Sequence, residues 1–128
     1  MSSPKSVDQA SVSLTVPGRT EYLRLVRVAA ADSGTRADLS IEDVEDLRIA
    51  VDELAYALMG DEAASETVTL RYAASPGVVE IEGSCASRTD PVDLSDLSRS
   101  IIATVVDEHE LVDDGVVRRF WLVKRSRT

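Results

Sequence analysis

The sequence predicts an α+β two-layer sandwich: a mostly antiparallel mixed sheet with helices on one face. Three observations predict it. Strand-like alternation of apolar and polar residues comes in adjacent pairs, two long stretches with helical spacing lie between the first strand and the first pair, and a third lies between the two pairs. The 128 residues suit one hydrophobic core, placed here at 11–125, with a polar, disordered lead over 1–10 and a short tail at 126–128.

Each element has a local cause. Val12, Leu14 and Val16 alternate with Ser13 and Thr15, which predicts a half-buried strand ended by Pro17 and Gly18. Leu23, Val26 and Ala30 recur at helical spacing over 20–31, and Asp32-Ser33-Gly34 is expected to break that helix. The clearest helix covers 41–59. Ser40 is its expected N-cap, Val44, Leu47, Val51, Leu54 and Leu58 form its apolar stripe, and Gly60 stops it. Strands at 67–73 and 78–85 flank the turn Ser75-Pro76-Gly77. Asp93 is the expected cap of a third helix over 94–107, with Leu97, Ile101, Ile102 and Val105 inside. Strands at 110–113 and 116–124 close the domain around Asp114-Gly115. Phe120 and Leu122 alternate with Trp121 and Val123, so the last strand is expected to be covered on both faces.

Composition narrows the function classes. A net charge of −9 argues against nucleic acid as a partner and suits a basic one. No apolar run approaches the ~20 residues of a membrane span, and the N-terminus has no secretory h-region. Cys85, the single cysteine, has no partner for an internal disulfide, which points to the cytoplasm. Arg118, Arg119, Lys124, Arg125 and Arg127 crowd the last eleven residues and read as a solvated basic end. His109 lacks a companion ligand, so no metal is expected, and Cys85 reads as a small buried apolar residue.

The element order and the run Asp46-Leu47-Arg48-Ile49-Ala50-Val51-Asp52-Glu53 resemble the anti-sigma serine kinases of bacterial partner-switching systems, a branch of the histidine-kinase-like ATPases (the Bergerat fold). The resemblance spans about 12–125. It is strongest over 42–58 and from Val106-Asp107-Glu108 to Val123-Lys124-Arg125. It implies a glutamate base on the second long helix and, four residues on, an asparagine that holds magnesium. Glu53 fits the first position. Ala57 stands at the second, and a methyl group cannot ligate a hard cation. The family's Asp-x-Gly-x-Gly adenine motif has no counterpart: the strand leads into Gly83-Ser84-Cys85-Ala86-Ser87. Its phosphate-cradling glycines are replaced by Asp93-Leu94-Ser95-Asp96-Leu97-Ser98.

The resemblance therefore implies a degenerate member: a non-catalytic regulator with no cofactor, binding a sigma factor or an anti-anti-sigma protein, with homodimers common in the family. Arg24 matches a family position on the first helix that contacts such partners, and Arg27 lies on the same flank. The alternative for Arg24 is an internal salt bridge with Glu21 or an acid of the next helix. Two rival functions remain open at this point: an active ATP-dependent serine-protein kinase resting on Glu53, and a scaffold whose partner lies outside the sigma pathway.

Overall fold

The computed structural model describes residues 10–60 and 67–127. The polar lead expected over 1–10 lies outside them except for Ala10, which begins the first strand. Five strands, β1 (Ala10–Pro17), β2 (Thr67–Ser75), β3 (Val78–Ala86), β4 (Glu108–Asp113) and β5 (Val117–Arg125), form one sheet in the order β1-β2-β3-β5-β4. Every neighbouring pair is antiparallel. Three helices, α1 (Leu23–Arg36), α2 (Ile41–Met59) and α3 (Asp96–Val105), share one core with the sheet. The expected α+β sandwich is the observed architecture.

The sheet's inner face is built by period-two alternation. Val68, Leu70 and Tyr72 of β2, Val79 and Ile81 of β3, and Phe120 and Leu122 of β5 are all buried. Gly83 is paired with Phe120, and a Cβ at that glycine would run into the Phe120 ring. Tyr72 reaches across to α1, where its hydroxyl donates to the Val26 carbonyl at 3.0 Å, and burial pushes its phenol up.

Two helix boundaries differ from the sequence expectation. Asp32-Ser33-Gly34 does not break α1, which runs on to Arg36. Ser33 is buried and its hydroxyl donates to the Ala29 carbonyl at 2.9 Å, so its polarity is satisfied inside the helix. Gly34 is a packing residue: an added Cβ would sit 2.9 Å from Val44 Cγ2 of α2. The chain turns instead at Asp38, whose φ is +62°. In α3 the cap is Ser95, whose hydroxyl accepts from the Ser98 amide at 3.0 Å, and not Asp93. The helix phase shifts accordingly. Ile102 and Val105 are buried as expected, but Leu97 is 71% exposed and Ser98 takes the inward position.

The basic end is not a solvated run. Residues 118, 120, 122 and 124 share the inner face of β5, so Arg118 and Lys124 enter the core and both side chains are 0% exposed. Lys124 Nζ donates to the Val105 carbonyl at 2.8 Å and lies 3.3 Å from Asp46 and 3.5 Å from Asp43. Burial works against the charge of Asp43. The Arg127 amide at 3.1 Å, Lys124 and Ser40 outweigh it and hold the carboxyl below its ordinary range. Lys124 thus ties the end of α3 and the start of α2 to the sheet.

Replacing Lys124 with methionine leaves Asp43 and the Val105 carbonyl without their buried cation. Urea unfolding should show a loss of about 3 kcal/mol, the range for removing one partner of a buried ion pair. A loss near zero would mean that Lys124 does not organise the helix layer.

Candidate functional site

The capped start of α2 sets the phase of its two key residues. Ser40 accepts the Asp43 amide at 3.1 Å, and from there Val51, Leu54 and Leu58 turn inward while Glu53 and Ala57 turn together toward α3. Both line a cleft of about 280 Å³. Its other walls are Tyr56 and Gly60 of the α2 end, Asp90, Pro91, Asp93 and Leu94 from the segment before α3, and Ser95 and Ser98 of the α3 start. The structure therefore brings the sequence-designated Glu53 and Ala57 to one groove.

Glu53 is engaged there: Ser98 donates its hydroxyl hydrogen to Glu53 Oε1 at 2.6 Å. The lining carries three carboxylates, from Glu53, Asp90 and Asp93, and no cationic side chain. The start of α3, where backbone amides would favour an anion, is served by the chain's own oxygens. Ser95 accepts the Ser98 amide, and Asp93 accepts the Leu94 amide at 2.9 Å.

The segment that walls the groove is held from behind its lining by two arginines that the sequence did not single out. Arg88 donates to the Leu58 carbonyl at 3.1 Å and the Met59 carbonyl at 3.3 Å, capping the α2 C-terminus with positive charge, and also pairs with Asp90 at 2.9 Å. Arg118 pairs with Asp113 at 2.8 Å and donates to the carbonyls of Arg88 and Asp90. The hydrogen bonds from Arg88 hold the Asp90 carboxyl below its ordinary range. Asp113 accepts from Ser87 at 2.7 Å, from the Gly115 amide and from Arg118, which brings its pKa from 3.8 to about 2. The signal for Arg118 was present in the sequence: it shares the odd-even phase of Phe120 and Leu122.

Arg24 and Arg27 separate on α1. Arg24 is exposed and makes no ion pair among the described residues, while Glu21 pairs with Arg19 at 3.4 Å. Beside Arg24, Leu25 and Val28 are exposed as well. Arg27 is committed to Asp52 of α2 at 2.6 Å, so Asp52 is not simply solvated. Cys85 is buried, its thiol 3.8 Å from the Leu58 carbonyl and pushed up by desolvation. His109 is pushed down by partial burial and by Arg99. Among the described residues no three of His, Cys, Asp and Glu converge as a metal site. No helix among them is long and apolar enough to cross a membrane. A larger depression of about 640 Å³ lies over β3 and β5 on the other face of the sheet, beside Glu82, Arg119 and Trp121, and holds neither Glu53 nor Arg24.

No protein-family model matches the chain. The anti-sigma-F factor RsbW of Mycobacterium tuberculosis is 33% identical to it over 109 residues, in strain CDC 1551 / Oshkosh and in strain ATCC 25618 / H37Rv alike. The match takes in 82% of this chain and 63% of theirs. The chain is homologous to anti-sigma-F factor RsbW over most of its length. It spans somewhat less than two thirds of the length of these relatives. Its fold is also that of a crystal structure of the RsbU and RsbW domains of a M. tuberculosis protein, with a TM-score of 0.70. That likeness covers 91% of this chain and 32% of the other, at 12% identity, and places the RsbW-type chain in the histidine-kinase-like ATPase fold.

The carboxyl of Asp113 is depressed on folding, so its contribution is present above the ordinary value of 3.8 and is lost as pH falls toward about 2. Urea unfolding across that interval should show stability falling with acid more steeply in the wild type than in Asp113→Asn. Equal slopes would show that the Ser87 and Arg118 contacts do not stabilise the charged form.

Proposed function

We propose that this chain is a non-catalytic, cytoplasmic anti-sigma regulator that binds a sigma factor, or an antagonist of the anti-anti-sigma type, through the exposed face of α1. One observation carries the reading. The groove that holds Glu53 presents Ala57 where a metal-binding asparagine is required, and no cationic side chain is among the residues that line it. Phosphoryl transfer is almost entirely positioning and neutralisation of phosphate charge. This groove supplies a methyl group at the metal position and no lining cation for the phosphates. Homology to anti-sigma-F factors supports the regulatory role. The loss of the nucleotide groups narrows that role to binding.

The binding surface follows from α1. Arg24 has its guanidinium free of ion pairs among the described residues, and Leu25 and Val28 beside it expose apolar area. An exposed arginine flanked by apolar side chains suits a partner that offers a carboxylate among apolar residues. Capture by that surface would withhold the partner from polymerase, and pairing with a second copy, common in the family, leaves the mechanism unchanged.

Two assays test the reading together. With labelled ATP, magnesium and an anti-anti-sigma protein, no label should reach the partner. Stoichiometric transfer would establish the kinase instead. In a calorimetric titration with a sigma factor of the F type, Arg24→Ala should bind roughly tenfold or more weakly at an unchanged melting temperature. Equal affinity would remove α1 from the interface.

A further inference from the structure

Residues 87–95 connect β3 to α3 and wall the Glu53 groove. A connection of this kind beside a cleft is ordinarily a mobile loop that a bound ligand orders. Here it is fastened at four points by the chain itself. At its start, the Ser87 amide donates to the Val116 carbonyl at 3.0 Å and the Ser87 hydroxyl to Asp113 at 2.7 Å. Next, Arg88 reaches back to the last carbonyls of α2, with a side chain only 22% exposed. In the middle, Arg118 rises from the core and donates to the carbonyls of Arg88 and Asp90. At the far end, Leu94 is buried, Asp93 pairs with Arg99 at 2.7 Å, and Ser98 holds Glu53.

The chemistry of these fastenings sets them apart from surface ion pairs, which contribute little. Arg118 is wholly buried, and its planar fork serves a carboxylate through Nε and two strap carbonyls through Nη2 at once. A lysine has the charge but not the fork. Arg88 likewise serves the two helix-end carbonyls of Leu58 and Met59. An added Cβ at Gly60 would lie 2.8 Å from Arg88 Nη2, so that glycine, with φ +74°, leaves the room the guanidinium occupies.

We infer that Arg88 and Arg118 form a built-in latch that keeps residues 87–95 closed against the end of α2 without any ligand. The latch does the ordering that a nucleotide would otherwise do, and it fixes the shape of the groove and of the α2 end in every state of the protein. Both arginines are positioning residues. The inference deepens the proposed loss of nucleotide control but stands on separate geometry, so the two can fail independently.

Thermolysin, which cuts before large apolar residues, reads the latch at Val92 and Leu94, with fragments assigned by mass. In the full-length wild type without nucleotide, both bonds should resist cleavage under native conditions, and ATP with magnesium should change nothing. Arg88→Gln should be cut there roughly tenfold faster at an unchanged melting temperature, because only local closing free energy is lost. Arg118→Lys should do the same, since it retains charge without the fork. If that buried variant unfolds, Arg88→Gln decides. Wild-type cleavage at these bonds as fast as in an unfolded chain, or an Arg88→Gln rate equal to wild type, would overturn the latch. Protection that appears only with ATP would overturn it as well. A wild type that resists without nucleotide and yet binds ATP would keep the latch and sink the nucleotide-independent function. A freely cleaved wild type that ignores ATP would do the reverse.

Discussion

The burial of two cations on one face of β5 is the constraint around which this molecule is arranged. Arg118 and Lys124 point into the core on either side of Phe120 and Leu122, and neither is exposed. An unpaired buried charge costs several kcal/mol, so each end of the strand must bring oxygens to it. At the Lys124 end these come from Asp43 and Asp46 of α2 and from the last turn of α3. At the Arg118 end they come from Asp113 of β4 and the strap before α3. The helix layer is thereby pinned to the sheet at one end and the groove wall at the other.

The groove lies at the Arg118 end of that arrangement. Glu53 and Ala57 still share one helical face, as the family pattern requires of a base and a metal ligand. Ala57 offers no oxygen to a metal, Asp90 and Asp93 pair with Arg88 and Arg99, Ser95 accepts the Ser98 amide, and Arg88 caps the end of α2. The proposed loss of nucleotide binding rests on the methyl of Ala57 and on the lack of a lining cation. The outer face of α1, with Arg24, Leu25 and Val28 exposed, lies apart from this groove.

Much of this was legible in the sequence, for physical reasons. Elements with strong periodicity and explicit caps, such as α2 with Ser40 and Gly60 or the turn at Gly77, read correctly because local terms decide them. That Glu53 and Ala57 lie on one helical face read from their spacing of four. Asp32-Ser33-Gly34 misled because turn-like residues were taken at face value, whereas tertiary packing against Val44 demands the glycine. Leu97 misled because the cap sits at Ser95, which rotates the helix phase. The buried roles of Arg118 and Lys124 were written in the alternation of β5, but charge density suggested a solvated end. Arg88 carried no sequence signal. Its role comes from where the α2 carbonyls end, which only the folded chain reveals.

The most direct test of this account is a nitrogen-15 amide spectrum of the protein titrated with ATP and magnesium to millimolar concentration. The amides of α2 from Glu53 to Gly60, of residues 87–95 and of the first turn of α3 should keep their positions throughout, because Ala57 offers no oxygen at the metal position and no cationic side chain lines the groove. Saturable shifts confined to those amides and dependent on magnesium would contradict the account and return the groove to service as a nucleotide site.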